Sequence, residues 1–196
     1  MSLVIFHMRS KPSSRAGKSR RTGAGRAPAR STAIVWRSAS AAETVAVGKR
    51  LGQALRGGEV LALRGELGAG KTTLVRGLAE GLGVPPAHVT SPTFVFVHLY
   101  RGRVRLAHAD LYRLADGGDI RTLGLEDFLD RQTVLAIEWA EYGSAVLPGD
   151  RLEIELLHRT PAERQVNLHA TGPHAEAVLI RLRHRQTARP RSKVTR

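Results

Sequence analysis

Eight consecutive residues, Gly65-Glu66-Leu67-Gly68-Ala69-Gly70-Lys71-Thr72, combine three glycines with a lysine and a hydroxyl group. Glycines at such positions let backbone N–H groups close around an anion. Lys71 offers a point charge for the outer phosphates of a nucleotide, and the Thr72 hydroxyl is suited to binding Mg²⁺. The spacing, GxxxxGK[ST], is that of a phosphate-binding loop, so this segment predicts a site for a nucleoside triphosphate.

The residues on either side of this loop predict a strand before it and a helix after it. Val60-Leu61-Ala62-Leu63 is a continuous apolar run, which is typical of a strand buried on both faces. Leu74, Leu78 and Leu82 recur every four residues, as on a helix that packs against a sheet. Such a helix directs the positive end of its dipole at bound phosphate. A glycine-rich turn that matches the pattern by chance would not need these flanks.

Two acidic residues are candidates to complete the site, because hydrolysis or transfer needs a carboxylate near the metal. Glu138 follows the apolar run 134–137, which predicts a second central parallel strand. Asp110 lies just beyond a strand predicted to end near His108. The carboxyl ends of parallel strands lie together beside such a loop. The alternatives are a solvated acid at a strand end for Glu138 and a capping role for Asp110.

Other polar and aromatic residues have two interpretations each. The segment 90–93, Thr-Ser-Pro-Thr, fits either a loop that senses the nucleotide or an ordinary turn. Trp139 fits stacking on a base or partner, or packing at a sheet edge. His88, His98 and His108 are ten residues apart, which does not place them on one face of one element and argues against a zinc site.

Around these motifs the hydrophobic pattern predicts a mixed α/β domain. In residues 93–108, two alternating runs flank Arg101-Gly102 and indicate an antiparallel hairpin, which is unusual for a simple doubly wound domain. We therefore expect a three-layer α/β P-loop NTPase fold with a partly antiparallel central sheet. The further predicted elements are a strand over 34–36, helices over 41–56, 71–82, 116–130 and 174–183, and strands over 151–157 and 163–169. Within 116–130 the predicted buried residues are Leu123, Leu125, Phe128 and Leu129.

Positive charge is concentrated at the two ends of the chain. The 196 residues carry a formal net charge of +14. Residues 1–33 contain eight Lys or Arg and no acid, and residues 181–196 contain seven and no acid. The segment between them is close to neutral, with sixteen basic and seventeen acidic residues. We expect a P-loop domain over 34–183, preceded by a basic disordered extension, 1–33, and followed by a basic disordered tail, 184–196.

The N-terminal extension has several interpretations. It is rich in Arg and Ser and free of acids, like an organelle transit peptide. It also fits an over-extended start with Met8 or a later codon as the true beginning, an electrostatic arm for RNA, or a solvated tail. No apolar run approaches 18 residues, so we expect no membrane span and a cytoplasmic location. The absence of cysteine excludes disulfides, thiol nucleophiles and Cys-ligated zinc.

Five segments, in this order, resemble the TsaE family (also called YjeE), small ATPases of bacterial tRNA threonylcarbamoyladenosine synthesis. They are Gly65–Thr73 (GELGAGKTT), Thr90–Phe94 (TSPTF), His108–Arg113 (HADLYR), Leu123–Leu125 (LGL) and Ile137–Glu141 (IEWAE). The loop alone is generic, whereas SPTF, HxDLYR and EWxE at these spacings are specific. The resemblance covers about residues 36–170. Glu66 replaces the usual Asp, and Ala140 stands where Pro is common.

The resemblance implies an ATPase that works with partners. Members of the family bind ATP and Mg²⁺, hydrolyse ATP slowly alone, and join the proteins TsaB and TsaD. TsaD transfers a threonylcarbamoyl group to an adenosine beside the anticodon of tRNAs that read ANN codons. Hydrolysis by the family is thought to reset this machinery between turnovers. Contact with tRNA is then indirect, through the complex, although the basic tails are candidates for contacting RNA.

The resemblance also implies a role for individual residues. Asp110 is expected to be the catalytic or water-orienting acid, assisted by Lys71. Thr72 and Glu138 are expected to hold Mg²⁺, and the segment 91–93 to act as a switch-like loop. Tyr112 and Trp139 are expected near the nucleotide or the partner. The residues expected to hold ATP are Thr44 (near the adenine), Glu66, Leu67, Gly68, Ala69, Gly70, Lys71, Thr72 and Thr73.

Three other functions compete with this interpretation. A small-molecule P-loop kinase would share the loop and Mg²⁺, but such kinases usually have an arginine-rich lid, and the arginines between 101 and 113 fit a hairpin better. A regulatory GTPase would need an Asn-Lys-x-Asp guanine reader, and Asn167 is the only asparagine in the chain. A non-enzymatic RNA-binding protein would depend on the basic tails.

Overall fold

Seven β-strands and three α-helices are found in residues 33–93, 96–116 and 118–187, the part of the chain that the computed structural model describes. In chain order they are β1 (Ala33–Ser38), α1 (Ala41–Ala54), β2 (Val60–Arg64), α2 (Lys71–Gly81), β3 (Val97–Tyr100), β4 (Arg105–Asp110), β5 (Thr133–Glu138), β6 (Leu152–His158), β7 (Arg164–Ala170) and α3 (Pro173–Thr187). The predicted capping box at the start of α1 is found in a shifted form. The N-cap Ser40 side chain accepts from the Glu43 N–H, and Glu43 accepts from the N–H of Ala39, one residue before the N-cap.

The strand that leads into the glycine loop lies in the middle of a single mixed sheet. The strand order is β1-β7-β6-β2-β5-β4-β3. β2 is parallel to β5 and β6, and β4 is parallel to β5, so the carboxyl ends of β2, β4 and β5 meet at one edge. β3 pairs with β4 in antiparallel orientation, as do β6 with β7 and β7 with β1. The predicted α/β P-loop fold with a partly antiparallel sheet is confirmed.

All three α-helices contribute to one hydrophobic core on one face of the sheet. The predicted stripe of Leu74, Leu78 and Leu82 is fully buried there. Four glycines lie where α1 contacts α2, and a Cβ atom on any of them would overlap backbone atoms of the other helix. These glycines are Gly48, Gly52, Gly77 and Gly81. Because side chains are absent there, the start of α1 can lie close to the glycine loop.

The opposite face of β2, β4 and β5 is covered by short 3-10 segments. They are Tyr112–Asp116, Ile120–Leu123, Leu125–Phe128 and Ala140–Gly143. The prediction of one helix over 116–130 is therefore wrong. Gly124 has a left-handed φ of 59° between two of the segments, which no continuous helix permits. Leu125 is buried as predicted, whereas Leu129 is 47% exposed.

The remaining predicted elements are found with shifted ends. The first strand begins at Ala33, and the last helix continues to Thr187. Most of the predicted basic extension (1–32), the last residues of the tail (188–196), and Phe94 and Val95 lie outside the described residues, so the prediction of disordered ends stays a prediction. Among the helices described, none has the length and apolar character needed to cross a membrane.

Candidate nucleotide-binding site

The glycine loop has a backbone shape that leaves space for an anion. Gly68 has a φ of 76°, and a Cβ atom added to it would meet nothing within 4 Å. Gly70 is the N-cap of α2, with a φ of 100°, and no side chain caps this end of the helix. The start of α2 therefore faces the loop without a side-chain acceptor, which is the arrangement that binds phosphate.

Lys71 is folded back over the loop that contains it. Its ammonium group donates to the carbonyl oxygens of Gly65 (2.6 Å) and Glu66 (3.0 Å) and lies 3.5 Å from the centre of the Trp139 ring. The residue is only 4% exposed. Burial lowers the pKa of Lys71, and the negative charges of Glu138, Glu141 and Asp110 oppose that shift. The cation is thus held at the loop by neutral acceptors and an aromatic face.

Glu138 is fixed between a helix and the neighbouring strand. Its Oε2 accepts from the Thr72 hydroxyl at 3.0 Å, at the first turn of α2. Its Oε1 lies 2.7 Å from Nε2 of His108, which is completely buried on β4. Glu138 itself is 3% exposed. The structure therefore brings Thr72 and Glu138, the two predicted metal ligands, into direct contact.

Asp110 ends the neighbouring strand and is register partner to Glu138. Its Oδ2 accepts from the hydroxyls of Ser91 (3.1 Å) and Thr93 (2.5 Å), and its Oδ1 accepts from the Tyr112 N–H (2.8 Å). The carboxyl group is buried although both hydroxyls come from a surface loop. The segment 90–93 thus contacts one of the two acids directly.

The other predicted nucleotide-binding residues lie in the loop or beside it. Glu66 and Leu67 are exposed at its tip, and Ala69 is buried beneath it. Thr73 is partly buried on the first turn of α2. Thr44 is buried, and its methyl carbon would lie 3.9 Å from a Cβ atom on Gly70. The Thr44 hydroxyl donates to the Ser40 carbonyl and is paired with the Ser38 hydroxyl, so its methyl side is the part nearest the loop.

Three aromatic side chains lie together beside Lys71. The Trp139 ring is 4.9 Å from the Tyr112 ring and 6.1 Å from the Tyr142 ring, between their centres. Trp139 has a left-handed φ of 57°, a conformation that costs energy for a side chain of this size. Tyr112 and Tyr142 are each more than 40% exposed. This cluster extends the site from Lys71 to the protein surface.

His108 contacts Glu138 of the candidate site, a contact that the sequence did not predict. Of the three histidines considered as zinc ligands, His98 and His108 are register partners on β3 and β4. The described residues nevertheless contain no group of three or more metal-binding side chains. His98 instead contacts the Tyr100 hydroxyl at 3.0 Å, and burial lowers its pKa, with a smaller contribution from His108. The sequence does contain a signal for its burial, because His108 lies two residues after Leu106 and therefore on the same face of the strand.

The arrangement is suited to binding a polyphosphate with a divalent cation. A hydroxyl and a carboxylate in contact are oxygen donors of the kind that Mg²⁺ prefers. Open space at Gly68 and the uncapped start of α2 fit phosphate oxygens. The Lys71 ammonium group adds a positive charge beside them. Asp110 adds a second acid at the same sheet edge. Fold and site together define an α/β protein of the P-loop class.

Comparison with known proteins narrows this class. The family model "Threonylcarbamoyl adenosine biosynthesis protein TsaE" matches residues 38–166. The chain is 38% identical to the tRNA threonylcarbamoyladenosine biosynthesis protein TsaE of Bacillus subtilis, over 73% of this chain and 89% of that protein. It is also 38% identical to the protein of the same name of Treponema pallidum, over 67% and 96% of the two chains.

The structural comparison agrees with the sequence comparison. The crystal structure of Bacillus subtilis YdiB superposes with a TM-score of 0.67 at 34% identity, covering 79% of this chain and 96% of that one. The chain belongs to the TsaE family, a family of tRNA threonylcarbamoyladenosine biosynthesis. The resemblance inferred from the five sequence segments is confirmed.

Proposed function

We propose that this protein binds ATP with Mg²⁺ and hydrolyses it slowly, as the ATPase subunit that acts with TsaB and TsaD in threonylcarbamoyladenosine modification of tRNA. The observation that carries the proposal is the contact between Thr72 and Glu138, 3.0 Å apart, beside the glycine loop. Family membership supports the pathway, since relatives from Bacillus subtilis and Treponema pallidum carry that pathway in their names.

Each residue of the site has a task in this proposal. The backbone of residues 66–73 binds the phosphates. The Lys71 ammonium group leaves the carbonyl oxygens of Gly65 and Glu66 and contacts the outer phosphates. Thr72 and Glu138 bind Mg²⁺, which neutralises charge on the phosphate oxygens. Asp110 orients or deprotonates the attacking water. The methyl side of Thr44 contacts the nucleotide near its adenine.

The partners carry out the transfer reaction that this ATPase supports. In this proposal TsaD carries out threonylcarbamoyl transfer, and ATP hydrolysis here supports its turnover. Contact with tRNA is made through the complex, with the basic tails as additional candidates for RNA contact. We propose a cytoplasmic location, where tRNA modification takes place.

The test is copurification of the full chain with TsaB and TsaD, with ATPase activity measured alone and in the mixture. We expect a complex, and a higher ATPase rate in the mixture than alone. No complex and no stimulation would refute the partner role. A phosphorylated small-molecule product would favour the kinase alternative, and a clear preference for GTP over ATP would overturn the assignment of the nucleotide. A chain without its two basic tails should still bind ATP, because the core carries the site. Loss of function in that chain would favour the RNA-binding alternative.

A further inference from the structure

We infer that His108 is a positioning residue, whose Nε2–H holds the Glu138 carboxylate in the orientation that binds Mg²⁺. This inference rests on the proposed function, because it concerns a metal ligand of that site. Its consequence is that Oε1 is occupied by His108 while Oε2, which faces Thr72, remains the oxygen for the metal.

The hydrogen bond between the two side chains is short and shielded from water. Nε2 of His108 lies 2.7 Å from Oε1 of Glu138, with the two side chains 0% and 3% exposed. A carboxylate oxygen only accepts, so the imidazole is the donor. Nδ1 of His108 is also buried and has no hydrogen-bond partner among the described residues. A hydrogen on Nδ1 would lack an acceptor, so the Nε2–H tautomer fits this network.

The sheet itself sets this contact. β4 and β5 are parallel, with His108 opposite Ala136 and Asp110 opposite Glu138. Positions two apart on a strand share a face, so His108 and Glu138 are diagonal neighbours on the face that packs against α2. Because both come from central strands, His108 can hold the carboxylate before any ligand binds. In many metal sites, a side chain that hydrogen-bonds to a metal ligand fixes the orientation of that ligand.

The competing explanation is that His108 only fills space in the core. An apolar side chain would fill that space without burying an unpaired nitrogen, so packing alone does not explain an imidazole here. The two explanations differ in what they predict for metal dependence. A packing role changes folding stability, whereas a positioning role changes how much Mg²⁺ improves nucleotide binding.

The test compares the full-length wild type with His108→Gln and His108→Met. The glutamine amide keeps a donor near the position of Nε2, and methionine fills similar volume without a donor. The affinity for a fluorescent non-hydrolysable ATP analogue is measured by titration in excess Mg²⁺ and in EDTA, and thermal unfolding confirms folding. We expect equal affinities in EDTA. The ratio of the two affinities should fall by about tenfold or more in His108→Met, the range for outer-shell metal partners, and be largely restored in His108→Gln.

The outcomes separate this inference from the proposed function. A wild type whose affinity does not respond to Mg²⁺ would refute the proposed metal site itself. A wild type that responds, together with a folded His108→Met that responds equally, would overturn the role of His108 and leave the proposed function standing. Should His108→Met not fold, His108→Asn takes its place, because the shorter amide places its donor away from Glu138. Full Mg²⁺ response in that variant would also overturn the inference.

Discussion

The two acids at the edge of the sheet are neighbours, but they are held by different parts of the molecule. Glu138 is bound by His108 on a central strand and by Thr72 on a helix. Asp110, its register partner, is bound by the hydroxyls of Ser91 and Thr93 from the loop before β3. One acid is therefore fixed by regular structure, and the other is coupled to a surface loop.

The site thus combines a part held by strands and a helix with a part held by a loop. Partners on strands and helices keep their positions, so we expect Glu138 to have the same geometry with and without nucleotide. We expect the loop that holds Asp110 to change its contacts when phosphate and metal bind, as in proteins that sense a nucleotide.

Substituting Asp110 by Asn should give the largest loss. Asp110 accepts from two hydroxyls on one oxygen and from the Tyr112 N–H on the other, whereas asparagine has a single acceptor oxygen. We expect turnover to fall by about 10²- to 10⁴-fold, the usual contribution of a positioned acid or base. Nucleotide affinity should stay close to that of the wild type. Single-turnover ATP hydrolysis and nucleotide titration check this, and turnover within tenfold of the wild type would remove Asp110 from the chemistry.

Substituting Glu138 by Ala should act through the metal. Loss of an outer-shell partner of a metal already costs about 10- to 100-fold, so for this proposed direct ligand we expect Mg²⁺-dependent turnover to fall by about 100-fold or more. Nucleotide affinity in EDTA should be unchanged. The buried His108 N–H would lose its acceptor, at a cost of about 1–3 kcal/mol in the free energy of unfolding. Glu141→Ala is the matched control, because Glu141 is exposed and only contributes charge near Lys71. Equal loss of turnover and binding in folded Glu138→Ala would refute the metal role.

Substituting Thr93 by Val should have a smaller effect that reports on the loop. Valine keeps the shape but removes the hydroxyl that donates to Asp110 at 2.5 Å. A hydrogen bond to a charged group is worth about 1.5–3 kcal/mol, which corresponds to about 10- to 100-fold. Because Ser91 still donates to the same oxygen, we expect the low end, a loss of roughly tenfold in turnover. Thr90→Ala is the control, because its hydroxyl is 3.5 Å from His98 and is not bonded to Asp110. If both variants have the same rate, the contact of the loop with Asp110 does not matter for hydrolysis.

The sequence predicts the glycine loop better than the contacts around Glu138. The glycine loop and its two flanking elements depend on local spacing, so they could be predicted directly. His108 could not be assigned to Glu138, because their contact depends on the parallel pairing of β4 with β5, which no local pattern encodes. The prediction of a helix over 116–130 is wrong because a local pattern was misleading. Its apolar spacing was favourable, but Gly124 takes a left-handed conformation and the segment folds into 3-10 turns.

Lys71 joins the two parts, because its charge interacts with Glu138 and Asp110 alike. Its pKa is lowered chiefly by burial. Burial of the charged ammonium group therefore costs folding free energy as long as Lys71 is protonated. Between the lowered pKa and the ordinary value of 10.5, the unfolded chain binds more protons at this residue than the folded chain does. Stability therefore rises with pH in that window as far as Lys71 is concerned.

The smallest predicted effect is this pH dependence, measured by comparing the wild type with Lys71→Met. Methionine removes the titrating group, so the difference in the free energy of unfolding between the two proteins isolates the contribution of Lys71. We expect the wild type to gain stability relative to Lys71→Met as the pH is raised from 7 toward 10.5. The free energy of unfolding is measured at each pH by urea unfolding without nucleotide. Loss of nucleotide binding by the variant serves as the functional control. A relative loss of wild-type stability over the same range would mean that the carboxylates Glu138 and Asp110 outweigh burial, and that the two parts of the site are held together by charge.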